Sequence, residues 1–147
     1  MEIRQVMNRN AIRIHVGATM MEAADIVSQT QTSDLMVVDD DNTFVGVLSE
    51  GDLIRAILPR FDEIMQSGGG LSEAFELFIE NGQEKAAEKI DGLIIRDPIT
   101  FTSNTHVLKA ASTMIAKHIR RLPVVDGGKL VGTVARADVC KSVLRPF

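Results

Sequence analysis

Asp52 and Asp138 are the two carboxylates best placed to do chemistry. Each falls in the first turn of a helix predicted to follow directly from a strand, three residues after Ser49 in one case and three after Ala135 in the other. A helix that begins where a strand ends presents free N–H groups at the junction, and these with the helix dipole favour an anionic group there. An ionised carboxylate only accepts hydrogen bonds, so an Asp in that place either caps its own helix or receives donors from a ligand. Ser49 has the same two readings, as a helix cap or as a ligand hydroxyl. Arg120 and Arg121 offer adjacent guanidinium forks, which suit phosphate oxygens; the alternative is that they are solvated or pair with the chain's acids.

Other groupings carry less. Asp39-Asp40-Asp41-Asn42 lacks the alternate spacing, central Gly and distal Glu of a calcium loop and reads as an acidic turn. His15, His106 and His118 have no ligand spacing to one another or to Cys140, so no metal site is expected. No Ser–His–Asp grouping, nucleophile elbow or acid–base carboxylate pair is present, so no catalytic residue is assigned and the chain is read as no enzyme. Gly68–Gly70 lacks the Lys-Ser/Thr of a phosphate loop.

The elements that hold these residues follow from periodicity. Ile12 and Ile14 alternate with polar neighbours, as a short half-buried strand does. Thr19 with Glu22 forms a capping-box pattern, and Met20, Ala23, Ala24 and Val27 make one apolar helical stripe. Val107, Ala110, Ala111 and Met114 repeat that spacing. Leu35–Val38 and Leu122–Val125 are short apolar runs that end in turns, and Phe44–Leu48 and Leu130–Val134 return from them. The last helices begin near Glu50 and Arg136. Leu53, Ile54, Ile57 and Leu58 cover much of one, and Val139, Cys140, Val143 and Leu144 much of the other, which predicts burial on two sides. Cys140 is accordingly expected to fill a core or an interface.

The 147 residues repeat themselves. Ile12–Leu58 lies over Ile99–Leu144 with a single one-residue gap, so that Ala23-Ala24 meets Ala110-Ala111, Val37-Val38-Asp39 meets Val124-Val125-Asp126, and Asp52 meets Asp138. Each half reads strand, helix, strand, strand, helix, an α+β pattern. The predicted organisation is a first repeat at 1–58, a helical insert at 59–93 and a second repeat at 94–147. Within the insert Leu71, Ala74, Phe75 and Phe78 fall at helical spacing, Asn81-Gly82 is read as the stop, and a second short helix is expected over Glu84–Ile90.

Composition narrows the function. Sixteen basic against twenty acidic residues leave a net charge of −4, which disfavours a general nucleic-acid binder. With no Trp or Tyr there is no base-stacking platform. One Cys fits a reducing compartment, and neither a signal core nor a membrane-length apolar run occurs, so a cytoplasmic protein without membrane contact is expected.

With Leu35-Met-Val-Val-Asp39, Val45-Gly-Val-Leu-Ser-Glu-Gly-Asp52, Arg121-Leu-Pro-Val-Val-Asp126 and Leu130-Val-Gly-Thr-Val-Ala-Arg-Ala-Asp138 laid out, the repeat resembles the CBS domain, the module named after cystathionine β-synthase. The resemblance covers both repeats but not the insert. It implies two repeats packed about a pseudo-two-fold axis, a homodimer, and a sensing function without catalysis. It also implies an adenosine-containing ligand (AMP, ADP, ATP or S-adenosylmethionine) in a cleft between repeats, no required cofactor, and a regulated protein partner. The alternative is a ligand-free dimerisation and interaction module.

The family's ribose signature, Gly, two apolar residues, Ser or Thr, two variable residues and Asp, is complete at Gly46–Asp52. At Gly132–Asp138 it keeps its Asp but has Ala135 in place of the hydroxyl. The resemblance places Asp52 toward Ile99, Thr100 and Phe101, with Phe101 the aromatic nearest an adenine, and Asp138 toward Ile12, Arg13 and Ile14. Arg120 and Arg121 occupy the positions from which family members reach phosphate; the first repeat has Ser33 and Asp34 there.

Overall fold

The computed structural model describes residues 1–145; the last two positions of the predicted second repeat fall outside them. The first copy runs β1 (Arg13–His15), α1 (Met20–Thr30), β2 (Asp34–Val38), β3 (Phe44–Ser49) and α2 (Glu50–Ile57). Two further helices, α3 (Phe61–Gln66) and α4 (Leu71–Lys85), lead to the second copy: α5 (Val107–Ala116), β4 (Arg121–Asp126), β5 (Lys129–Ala135) and α6 (Arg136–Leu144). The α+β class and the internal repeat are therefore both present. One sheet has the order β1-β2-β3, with β1 parallel to β2, and the other pairs β4 antiparallel with β5.

Local chemistry accounts for the element ends. The Thr19 hydroxyl accepts the Glu22 N–H at 3.1 Å and starts α1. At the equivalent place His106 uses Nδ1 to accept the Leu108 N–H at 3.0 Å and starts α5. The α5 end is closed by Arg136, whose guanidinium donates to the carbonyls of Ile119 and Met114, both at 3.0 Å. Asp39 accepts the N–H groups of Asp41 and Thr43, each at 2.9 Å, so the acidic run is an ordinary turn. No metal-binding group of His, Cys, Asp or Glu forms among the described residues.

Three expectations are corrected. Helix α4 runs straight through Asn81-Gly82, and no separate helix follows over Glu84–Ile90. An Asn-Gly stop works by placing one of the pair in the left-handed region, and neither Asn81 nor Gly82 adopts positive φ. Instead Asn81 Nδ2 donates to the Ile57 carbonyl at 3.0 Å, and Gly82 admits Ile57 Cδ1 at 4.0 Å from where a Cβ would stand. These residues serve the contact of α4 with α2. The first strand of the second copy is reduced to Phe101, which bridges Val124 in parallel. Ser103 is already turned aside by Asp126, which accepts its N–H at 2.9 Å and its hydroxyl at 2.5 Å. Cys140 is exposed, which removes the core reading and leaves the interface one.

By contact the chain divides into two compact units. One comprises Met1–His15, Met36–Val47 and Ile95 onward; the other comprises Val16–Leu35 and Leu48–Ile94. In the first, Ile3, Phe101, Ala110, Met114, Leu122, Val124 and Val134 form a buried cluster. Ile3 belongs to an arm that the periodicity does not reveal. The arm's Ile3 and Asn8 donate N–H bonds to Thr105 and Thr133, its Met1 carbonyl accepts from Val107, and Thr133 returns a bond to the Asn8 carbonyl. Glu88–Ile95 does the same for the first copy. In the second unit Ile90 is fully buried and donates to the Ala18 carbonyl, and the Glu88 carbonyl accepts from Met20. In the first unit Ile95 and Val47 exchange N–H bonds. The correspondence of the copies thus extends back to residues 1 and 88, into the stretch read as insert.

Helix α4 packs on α2, within the second unit. A cavity of about 170 Å³ lies there, lined by Met20, Met21, Ala24, Leu53 and Ile57 together with Gly82 and Ala86. Among the described residues no helix is long and apolar enough to cross a membrane.

Candidate functional site

The two strand-to-helix junctions form as the sequence predicts, but their carboxylates are in different states. At the β3–α2 junction Asp52 Oδ2 accepts the Ser49 N–H at 2.8 Å and the Ser49 hydroxyl at 3.0 Å, and Arg55 donates to Oδ1 at 2.6 Å. The Ser49 oxygen in turn accepts the Asp52 N–H at 3.2 Å. The complete signature, Gly46 to Asp52, is therefore a closed capping box whose hydrogen bonds are satisfied internally. Gly46 itself is buried in β3.

Burial would raise the Asp52 pKa, but the bonds from the Ser49 N–H, from Arg55 and from the Ser49 hydroxyl outweigh it and hold the carboxyl below 3.8. A group whose folded pKa is depressed contributes stability that is present above its unfolded pKa and is lost as pH falls through the folded value. Asp52→Asn should therefore flatten the acid limb of a thermal-stability profile below about pH 4. An unchanged limb would show that the carboxylate's bonds carry no stability.

At the β5–α6 junction the helix cap is only half realised. Asp138 Oδ2 accepts the Ala135 N–H at 2.8 Å, but Ala135 has no hydroxyl to reciprocate. Oδ1 takes no hydrogen bond among the described residues and belongs to a half-buried side chain. The neighbouring strand brings the two arginines to this junction. Arg121 pairs with Ala135 across the β4–β5 ladder, and the Arg120 carbonyl accepts the Arg136 N–H at 3.0 Å. In the first copy the Ser33 carbonyl makes the equivalent bond to Glu50.

Neither arginine is ion-paired among the described residues. Arg120 is exposed. Arg121 is half-buried, and its one side-chain bond is a 3.3 Å donation from Nη1 to the Thr133 hydroxyl. Thr133 is the one fully buried polar residue among those described, and the sequence reading passed over it. The available signal was a hydroxyl where the first copy has Val47.

The remaining predicted residues divide. Ile12 is half-buried and Ile14 buried, both beside or in β1 of the same unit as Asp138. Thr100 is exposed. Phe101 is a core residue, packed in the cluster with Ile3 and Met114, with Lys109 Nζ 5.9 Å from its ring centre. Gly132 is buried for a packing reason: a Cβ there would stand 2.7 Å from the Asn8 carbonyl oxygen.

Comparison with known proteins adds the family. The model described as CBS domain matches residues 3–59 and again 87–145. An uncharacterised protein of Methanocaldococcus jannaschii is 30% identical over 139 residues, 95% of this chain and 41% of that one. The chloroplastic CBS domain-containing protein CBSX1 of Arabidopsis thaliana is 30% identical over 141 residues, 86% of this chain and 56% of its own. The chain thus spans about half the length of these relatives. Among solved structures, CBSX2 in complex with AMP is 25% identical, with a TM-score of 0.73 over 97% of this chain and 96% of that one. The CBS domain pair of a further protein, in complex with 5′-methylthioadenosine and S-adenosyl-L-methionine, shares the fold at 22% identity, with a TM-score of 0.69 over 97% of this chain and 95% of its own.

Proposed function

Since this chain belongs to the CBS domain family and carries two copies of the domain, we propose that it is a non-catalytic regulatory module that binds an adenosine-containing ligand. AMP, ADP, ATP and S-adenosylmethionine are the candidates, and the β5–α6 junction is the principal site. One observation carries the reading: α6 opens with a carboxylate that keeps a free oxygen, and the strand laddered to that junction begins with two arginines without acidic partners. Asp138 Oδ1 accepts from the ribose hydroxyls, and Arg121, with Arg120, meets the phosphate at the N-terminal end of α6. Ile12 and the backbone beside it form the apolar wall for the base. Asp52 and Ser49, bonded to each other, serve their helix first and a ligand second.

Support from relatives comes from CBSX2, a structure of which holds AMP. No cofactor is required by this reading. Binding changes the conformation that a regulated partner reads, by no more than the ligand's affinity difference between two states. The module acts as a homodimer in the cytoplasm, where its exposed thiol stays reduced.

Calorimetry with the four ligands tests the reading. Bonds to charged groups are each worth about 1.5–3 kcal/mol, so Asp138→Ala should weaken binding by at least tenfold. Arg121→Ala should weaken AMP more than S-adenosylmethionine, which has no phosphate. Asp52→Ala should leave affinity within about twofold. Absence of binding for all four ligands at millimolar concentration would overturn the ligand reading and leave the dimerisation module, for which the exposed Val143 and Leu144 of α6 speak.

A further inference from the structure

A groove of about 530 Å³ runs along α5 and α6 in the first unit. Its apolar wall includes Val107, Leu108, Ala111, Val139 and Val143. By the internal repeat these positions match Met20, Met21, Ala24, Leu53 and Ile57, the residues that line the cavity beside α4. One face therefore occurs twice. In the first copy a helix of the insert packs against it. In the second copy it is open, with Leu108 68% and Val143 61% exposed.

Helix α4 has a second apolar stripe besides the one it uses. Ala74, Phe78, Asn81 and Gly82 lie on its sheltered side. Leu71, Phe75 and Ile79, at i, i+4, i+8, are 88%, 60% and 45% exposed. Such a stripe on a soluble helix marks a docking face. Charge selects what it meets. Helix α4 carries Glu73, Glu76, Glu80 and Glu84 against Lys85 alone. Helices α5 and α6 with the residues that end them carry Lys109, Lys117, Lys141 and Arg145, and their one acid, Asp138, faces the Ala135 N–H. Two grooves set face to face would bring like charges together; an acidic α4 brings opposite ones.

We infer that the α5–α6 groove is the seat for the exposed stripe of α4 from a second copy of this chain, the two copies exchanging helices reciprocally. Helix α4, which lies outside both matched domains, is then the dimerising element. This rests on the homodimer reading, and the experiment separates the two. Cys140 is the chain's one cysteine, is exposed and lines the groove, so a short bismaleimide reports what lies opposite it.

Phe75→Cys and Ile79→Cys should each give a covalent dimer, and the product should vanish when Cys140→Ser is added. Glu76→Lys with Glu80→Lys should raise the dimer dissociation constant at least tenfold in sedimentation. A covalent dimer of the wild-type chain through Cys140 alone would show groove against groove and overturn the exchange. A cross-linked monomer would do so by showing that the chain's own helix is the occupant. A dimer in sedimentation that neither cysteine variant cross-links would place the interface elsewhere, and a monomer would remove the homodimer reading as well.

Discussion

Ile3→Ala should lower the melting temperature by on the order of 10 °C. Ile3 is fully buried in the cluster of Phe101, Met114 and Leu122, and truncating a buried Ile costs about 2–5 kcal/mol. In a chain of this size each kcal/mol moves the midpoint by roughly 2–4 °C. Ile90→Ala, at the matching and equally buried position, should cost the same. Arg4→Ala, exposed in the same arm, should change stability by less than about 0.5 kcal/mol. Differential scanning calorimetry reads all three. An Ile3→Ala midpoint within 2 °C of wild type would mean that the arm adds nothing to the core.

Gly132→Ala should be nearly as damaging, although it adds only a methyl group. The new Cβ would stand 2.7 Å from the Asn8 carbonyl oxygen and 3.2 Å from Met7 Sδ. The methionine has rotamers to spare, but Asn8 is held to Thr133 by bonds of 2.8 and 3.0 Å, one in each direction. The arm must lift away there, losing those bonds at about 0.5–1.5 kcal/mol each, or absorb an overpacking cost of about 1–3 kcal/mol. Gly92→Ala, whose Cβ would meet nothing within 4 Å, is the control and should be neutral. Because Gly132 and Ile3 hold the same arm, the double substitution should cost less than the two singles together. Strict additivity in denaturant melts would show that the glycine acts elsewhere.

The parts legible in the sequence were those with a period. Apolar stripes marked α1 and α5, apolar runs marked β2 to β5, and the repeat placed Asp52 against Asp138. The arm had no such mark. A three-residue turn that buries one isoleucine has no periodicity to detect, and only the match of Ile3 with Ile90 would have exposed it. Asn81-Gly82 misled because the pair is read by its turn propensity, whereas here tertiary contact with Ile57 uses the amide and the missing side chain. The candidate site is a related case. The more complete motif, at Ser49 and Asp52, binds to itself, and the defective one, at Ala135 and Asp138, keeps an oxygen free. A pattern of residue types records which donors and acceptors are present, and not which of them are already spent on one another.

The arms also bear on how the chain is made. Neither copy of the repeat is continuous along the polypeptide. The segment that seats Ile90 against the first helix is translated after α1 to α4, so the first copy leaves the ribosome unfinished until the linker has passed. Residues 1–8 emerge well before Thr105, Val107 and Thr133, and wait for them before they find their bonds. Folding during synthesis is thereby tied to contacts between distant parts of the chain, which form slowly. A stalled or truncated product that ends before residue 88 lacks the buried isoleucine of its only complete set of helices and strands, and presents an open core to the quality-control machinery.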